Sequence, residues 1–290
     1  MNQNPYSNFA DKKILVAGAG VTGVASARAL VKRGAEVQLV DDKKIENSEF
    51  KVTHTSEADV RVFDALLISP GWREDHPLVV AARENKVAII NEIDLAWSLK
   101  PASQKWLGLT GTNGKTSTVE LTAHMIRTGG HSALACGNVG TTVIEAVESS
   151  EKYEFLVLEL SSFQLHWLQD SDFIAGAVLN IAEDHLDWHG TFDSYAAAKI
   201  SLLDKSTTAI LNGDDSEIVS RANHWLGRKV FFSLDTPAPG EIGIVEELLV
   251  DRAFVADRQV VALHEILGQH LPVGAPAEGF AEILAVVFHV

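Results

Sequence analysis

A single cysteine, Cys136, stands in 290 residues. One thiol cannot close an internal disulfide, so packing and hydrogen bonds must hold the fold, as suits a reducing cytoplasm. No apolar run reaches the ~18 residues that span a bilayer, and insertion into a membrane is not expected. The opening segment Met1–Lys13 is polar and lacks the hydrophobic core of a secretion signal. Positive charge is in deficit: 24 Lys and Arg against 39 Asp and Glu leave a net −15. That balance disfavours nucleic acid and anionic membranes as partners. It does not disfavour a nucleotide, which local N–H groups and a metal can hold. Internal repeats and low-complexity segments are also missing.

What is present is an ordinary globular balance, 46% hydrophobic and 22% charged. At ~150 residues per domain, two domains are expected. The sharpest feature is Leu-Gly-Leu-Thr-Gly-Thr-Asn-Gly-Lys-Thr-Ser at 107–117. Trp106–Leu109 reads as a buried strand, a glycine-rich turn follows, and a helix is predicted from Lys115 to about Arg127. This is the setting of a phosphate loop. Gly111 and Gly114 let backbone N–H groups approach an anion, and the helix start adds unpaired N–H groups and its dipole. Lys115 offers a cation to the β- and γ-phosphates and Thr116 a hydroxyl to Mg²⁺. Thr112, Asn113 and Ser117 complete the predicted ATP-binding run. The strict G-x-x-x-x-G-K-[ST] pattern is not met, because its first glycine falls on Leu109. A glycine-rich turn with a surface lysine is the plainer alternative.

Before this loop, Lys13–Ala17 is a predicted strand that runs into Gly18-Ala-Gly-Val-Thr-Gly23 and a helix to about Arg33. Glu36–Val40 is a second strand, ending at Asp41 and Asp42. A βαβ unit with this turn and a following acid suits a dinucleotide or another phosphate-containing ligand. Glycine needed only for tight helix–strand packing is the alternative. Strands at Ala65–Ile68 and Val87–Ile90 alternate with helices at Leu78–Glu84 and Glu92–Leu99. Gly20–Gly23, Asp41–Lys43 and Ser69–Gly71 all fall at strand carboxyl ends, where such sheets bind ligands. The stretch 98–104 carries Pro, Ser and Lys, and the domain boundary is placed there, giving domains 1–101 and 102–290.

After the loop, His131–Cys136 is a predicted strand and Thr142–Glu148 a helix. Phe155–Leu160 is an apolar strand interrupted by Glu159. A carboxylate in a buried strand is costly unless paired or metal-bound, and a strand-end acid near a phosphate loop is the usual Mg²⁺ partner. The alternative is an edge strand with Glu159 facing solvent. Ala175–Asn180 is the next strand, followed by the densest group of ligand-type side chains, Glu183, Asp184, His185, Asp187 and His189. His185 is the functional candidate there, and His189 is expected to cap or pack. A helix over Phe192–Leu203 presents Lys199. Strands at Thr208–Leu211 and Lys229–Ser233 flank a helix over Ser216–Trp225. Glu241–Val255 reads as an antiparallel pair turning at Glu246-Glu247. The predicted class is α/β: a Rossmann-like parallel-sheet domain, then an ATPase-type α/β domain with a small antiparallel extension.

These stretches resemble the Mur ligases. The match is carried by GAGVTG (Gly18–Gly23), SPG (Ser69–Gly71), GTNGKTS (Gly111–Ser117), GNVG (Gly137–Gly140), LELSSFQL (Leu158–Leu165), NIAEDHLDWHG (Asn180–Gly190), YAAAK (Tyr195–Lys199) and LNGDD (Leu211–Asp215). GTNGKT and HLDWHG are shared across Mur ligases and folylpolyglutamate synthases, whereas LELSSFQL points to the D-glutamate-adding branch. The resemblance implies an ATP-dependent amide ligase of peptidoglycan precursor synthesis, cytoplasmic and monomeric, using UDP-MurNAc-L-alanine and D-glutamate. ATP phosphorylates the sugar-linked carboxylate, and the amine of D-glutamate attacks the acyl phosphate.

Roles follow by resemblance. Lys115 and the backbone of 111–117 hold phosphates. Thr116 and Glu159 hold a first Mg²⁺, and Glu159 and His185 a second. Lys199 is implied to be carbamylated, its new anion supporting the second metal; read from the residue alone, it is a phosphate-binding cation. Asn138, Ser161 and His185 match contacts to the muramoyl-alanine part. Val21, Thr22, Asp41, Asp42, Lys43, Ser69 and Gly71 match a UDP pocket, in place of an NAD site. The family also has a third domain that binds the amino acid and closes over ATP. The chain stops at Val290 without it, so incomplete ligation is expected. The stretch from Gly274 to Val286 lacks the His and Asn residues that the family carries near adenine. Another Mur ligase, a folylpolyglutamate synthase and a catalytically silent nucleotide-binding module stay open as alternatives.

Overall fold

In the computed structural model, residues 8–43, 45 and 49–254 are described, with the backbone alone at 259–262. The predicted change of tail at 274–286 lies outside them. In chain order the strands are β1 (Lys13–Ala17), β2 (Glu36–Asp41), β3 (Val52–His54), β4 (Ala65–Ile68), β5 (Ala88–Asn91), β6 (Lys105–Thr110), β7 (Ala133–Gly137), β8 (Phe155–Glu159), β9 (Ala175–Val178), β10 (Thr208–Asn212), β11 (Arg228–Phe232), β12 (Glu241–Val245), β13 (Leu248–Asp251) and β14 (Gln259–Ala262). The helices are α1 (Val21–Val31), α2 (Pro77–Glu84), α3 (Glu92–Leu99), α4 (Lys115–Thr128), α5 (Val143–Glu148), α6 (Ser162–Trp167), α7 (Leu186–His189), α8 (Phe192–Ile200) and α9 (Ser216–Ala222). None of the described helices is long and apolar enough to cross a membrane.

The described chain forms two compact units. One holds Met1–Ala102, Gly140–Lys152 and His166–Ser171, and the other holds Ser103–Val139, Tyr153–Leu165 and Asp172–Val290. The first unit is built on a parallel sheet of order β3-β2-β1-β4-β5. Its central strands β1 and β4 are buried, largely apolar runs, and α2 closes one core with Leu78, Val79 and Ala82 against Leu15, Leu66 and Ile68. The order of strands reverses between β1 and β4, so the crevice for a ligand opens at their carboxyl ends. Residues 18–23 and 69–71 lie there. β3 has no sequence signal, because three residues are too few to display alternation.

The sequence predicts one crossing between domains near residue 101. Instead, two later segments belong to the first unit, and two buried acids at the start of α3 hold them. Glu92 Oε1 accepts from the Ile144 N–H at 2.7 Å. Asp94 accepts from the N–H groups of Gln169 at 2.8 Å, Asp170 at 3.1 Å and Ser171 at 2.9 Å, and from the Ser171 hydroxyl at 2.6 Å. Asn91 caps α3 and donates to the Trp167 carbonyl at 2.8 Å. These partners lie more than fifty residues apart in the chain, so local patterning cannot reveal them.

The second unit holds a nine-stranded sheet of order β14-β13-β12-β11-β10-β9-β6-β8-β7. It is parallel from β7 to β12 and antiparallel across β12, β13 and β14. One face packs on α4 through Val119, Ala123 and Ile126. The other packs on α8 and α9 through Tyr195, Ala196 and Ile218. The predicted hairpin at 246–247 is present, with Val245 opposite Leu248. The helix predicted over Phe192–Leu203 ends at Ile200 and continues as a 3₁₀ turn, Ser201–Lys205.

Burial pushes the Glu92 carboxyl up to about 7, against the lowering by hydrogen bonds from Ile144 and Val143. An acid whose folded pKa is raised loses stability as the pH climbs from the ordinary 4.5 towards 7, because the unfolded chain ionises first. Glu92→Gln removes the charge and keeps an acceptor for Ile144. It should match the parent below pH 4.5 and exceed it increasingly up to pH 7. Thermal unfolding of both proteins across that range checks this; a difference that ignores pH contradicts it.

Candidate active site

The second unit gathers its polar groups where β6, β8 and β9 end. β6 is the innermost strand of the region, paired with β8 and β9 in parallel. Its last residue, Thr110, leads into the loop 111–114, and Gly114, at φ 79°, caps α4. The loop and helix start are therefore aimed by the central strand, as a phosphate loop requires.

Glu159 ends β8, between Leu109 of β6 and Gly137 of β7. It is not on an edge strand, and it is 2% exposed, so the solvent-facing alternative is excluded. Its Oε2 accepts from the Thr116 hydroxyl at 2.7 Å and its Oε1 from the Asn138 amide at 3.1 Å. Both donors are uncharged side chains, one from the start of α4 and one from just beyond β7. A buried carboxyl group bonded to an exposed hydroxyl fits Mg²⁺, which takes one or two protein oxygens and completes its shell with phosphate and water. Among the described residues, no three His, Cys, Asp or Glu side chains meet as a metal cage.

Two lysines share one acceptor. Lys115 Nζ donates to the Gly111 carbonyl at 3.0 Å and the Thr112 carbonyl at 2.9 Å, and Lys199 Nζ donates to the same Gly111 oxygen at 2.7 Å. Lys199 is 2% exposed. Burial, helped by the nearby Lys115 charge and opposed by Asp184, brings its ammonium down to about 7. Its neutral form is thereby far more accessible than that of an ordinary lysine.

His185 is reached by a different route. It adopts a left-handed backbone conformation, φ 51°, at the start of α7. Its ring lies 4.8 Å from Phe163 and 6.4 Å from Tyr195, and its Nε2 is 3.5 Å from Asp184 Oδ2. His189 stacks on Phe163 and bonds Ser162 Oγ at 2.9 Å. Ser161 pairs with Gln164 at the start of α6, a helix too short for periodicity to expose. Sequence reasoning also left Tyr195 without a role. Its hydroxyl meets Thr112 Oγ1 at 3.0 Å, and its ring lies 4.8 Å from Lys199 Nζ. The clue was its spacing, one turn before Lys199 on α8.

In the first unit, the glycine-rich turn runs from β1 into α1. Asp41 is occupied by the backbone of that turn and its own loop, accepting from Ala19 N–H and Lys43 N–H, each at 2.9 Å. Asp42 accepts from Thr55 Oγ1 at 2.5 Å and pairs with His76 Nε2 at 3.1 Å. The Thr55 bond chiefly holds its carboxyl below the ordinary range. A cavity of about 570 Å³ opens beside Asp42, with Thr55, Asp59, Arg61 and His76 in its wall. Ser69 Oγ is buried without a hydrogen-bond partner beneath the turn. Val21 stands 70% exposed at the start of α1, and Gly71 is also exposed.

Residues 109–270 match the family model "Mur ligase middle domain". The chain belongs to the Mur ligase family. It is similar to the UDP-N-acetylmuramoylalanine–D-glutamate ligase of Thermobifida fusca, 43% identical over 267 residues, covering 87% of this chain and 57% of that protein. The protein of the same name from Streptomyces avermitilis is 38% identical over 292 residues, covering 92% and 61%. The chain therefore spans about three fifths of the length of these relatives. Among solved structures, the UDP-N-acetylmuramate:L-alanyl-gamma-D-glutamyl-meso-diaminopimelate ligase of Neisseria meningitides superposes with a TM-score of 0.54 at 15% identity, over 88% of this chain and 85% of that one. The murein peptide ligase of Psychrobacter arcticus gives 0.51 at 11%, over 95% and 64%. At these identities the likeness is one of fold alone.

Gly137 is where β7 closes on Glu159. It sits at φ 118°, and a Cβ there would collide with the Glu159 carbonyl oxygen. Gly137→Ala should destabilise by roughly 2–5 kcal/mol, combining backbone strain and overpacking. Urea unfolding reads this directly, and a change within ~0.5 kcal/mol, the range of an ordinary surface substitution, would contradict the geometry.

Proposed function

We propose that this chain carries the nucleotide-sugar and ATP sites of a ligase that joins D-glutamate to UDP-MurNAc-L-alanine in peptidoglycan precursor synthesis. The Glu159–Thr116 pair at the head of the phosphate loop carries this reading. The Mur ligase match and the D-glutamate ligase names of the 38–43% identical relatives support it. In the reaction, the substrate carboxylate attacks the γ-phosphorus of ATP and ADP departs. The amine of D-glutamate then attacks the acyl phosphate, releasing phosphate and a proton and leaving the amide. Such chemistry is mostly positioning and charge neutralisation.

The residues divide accordingly. The first unit is the domain for the UDP substrate, with Val21, Thr22, Asp41, Asp42, Lys43, Ser69 and Gly71 around the UDP moiety. The second unit is the ATP domain. The N–H groups and Lys115 of the run 111–117 take the phosphates. Thr116 and Glu159 would hold one Mg²⁺, and Glu159, His185 and a carbamylated Lys199 a second. These ions, when bound, neutralise charge on the transferring phosphoryl group. Lys199 in its neutral form is the nucleophile that takes up CO₂, and its lowered pKa supports that role. Asn138, Ser161 and His185 face the muramoyl-alanine part.

Calorimetry with UDP-MurNAc-L-alanine in the presence of Mg²⁺ should show saturable binding; its absence would count heavily against the proposal. Trapping of the acyl phosphate with hydroxylamine, given ATP, tests the first half-reaction. Lys115→Ala should cut any trapped product by about a hundredfold or more, as expected for removing a charge-stabilising group from a phosphoryl-transfer site. Trapping that persists in this variant would remove Lys115 from the mechanism.

A further inference from the structure

Asn180 lies just beyond β9, two residues after Val178, and reaches across to the phosphate loop. Its side-chain Oδ1 accepts from the Asn113 N–H at 2.8 Å, while its Nδ2 donates to the Asn113 carbonyl at 3.2 Å. Its own carbonyl accepts from the Thr112 N–H at 2.9 Å. The amide thus imitates a strand partner, pairing donor with acceptor and acceptor with donor on one residue of the loop. The neighbouring Ala182 extends the clasp, since its N–H donates to Thr112 Oγ1 at 3.0 Å and its carbonyl accepts from that hydroxyl at 3.2 Å. The fit is close: a Cβ on Gly111 would lie 3.0 Å from Leu179 Cβ and 3.2 Å from the Asn113 carbonyl oxygen.

This clasp sorts the N–H groups of the loop. Those of Thr112 and Asn113 are committed to Asn180, so they are not donors to an anion. Those of residues 114–117, at the start of α4, are left for phosphate. The clasp also joins the loop to the segment that carries Asp184 and His185. We infer that Asn180 is a positioning residue for nucleotide binding: its side-chain amide holds the phosphate loop in the shape that presents the N–H groups of 114–117 to a polyphosphate. The inference rests on the nucleotide reading of this loop given above. A loop ordered in advance loses less conformational freedom when the nucleotide binds.

The test is the affinity of the whole chain for Mg·ADP, by calorimetry, in the parent and in Asn180→Ala. Asn180 is half-buried at the surface of the sheet, so the truncation leaves the core intact. Loss of two hydrogen bonds that shape the loop should weaken Mg·ADP by about tenfold or more. Amide hydrogen exchange at Asn113 should accelerate in the same variant. Thermal unfolding run alongside separates affinity from stability, since a merely structural role would lower the melting temperature and leave the Kd, measured well below it, unmoved. That outcome would overturn the inference. Asn180→Ser, whose hydroxyl cannot span both Asn113 groups, carries the same expectation and serves if the alanine variant does not fold. A parent chain that fails to bind Mg·ADP would sink the nucleotide reading and this inference together, whereas equal binding by parent and variants sinks this inference alone.

Discussion

A carboxylate sealed inside a sheet is the constraint from which the second unit follows. Glu159 ends an internal strand, with β6 on one side and β7 on the other. Burying an ion there is costly unless something answers its charge or its lone pairs. The fold answers with the Thr116 hydroxyl and the Asn138 amide. Those two partners come from the start of α4 and the end of β7, so satisfying one acid brings three segments to a point. Gly137 makes the approach of β7 feasible, because any side chain there would occupy the space of the Glu159 carbonyl.

The same economy governs the cations. Lys115 and Lys199 converge on the carbonyl of Gly111. Two like charges on one acceptor, in a buried setting, are tolerated only if one of them gives up its proton readily, and Lys199 is the more buried of the two. The site therefore gathers a buried carboxyl group and two amines around one loop, and burial lowers the pKa of one of those amines. This is an arrangement suited to polyphosphate and metal, and ill-suited to a neutral ligand.

Much of this was legible in the linear chain. The glycine-rich loop between strand and helix is a local signal, and so is an acid interrupting an apolar strand. Both were readable because strand burial and turn chemistry act over a few residues. His185 was picked out by its neighbours, yet its ring is placed by Phe163 and Tyr195, from α6 and α8. Tyr195 and Asn180 passed unnoticed as site residues, because a tyrosine in a helix and an asparagine after a strand are commonplace until their partners are known. In the first unit, Glu92 and Asp94 stand at the start of α3, where an acid ordinarily only favours the helix dipole, and nothing local marks their distant partners.

What the residues alone determined, then, is the alternation of elements, the class of fold, the phosphate loop and the family, since each depends on spacing within a short window. Only the tertiary structure decided that Glu159 is internal, that Lys199 meets Lys115 at Gly111, and that Gly140–Lys152 and His166–Ser171 return to the first unit. The reason is physical: a buried polar group must be satisfied by whatever the fold brings within hydrogen-bond reach. For Glu92, Asp94 and Lys199 those partners lie some fifty to ninety positions away along the chain.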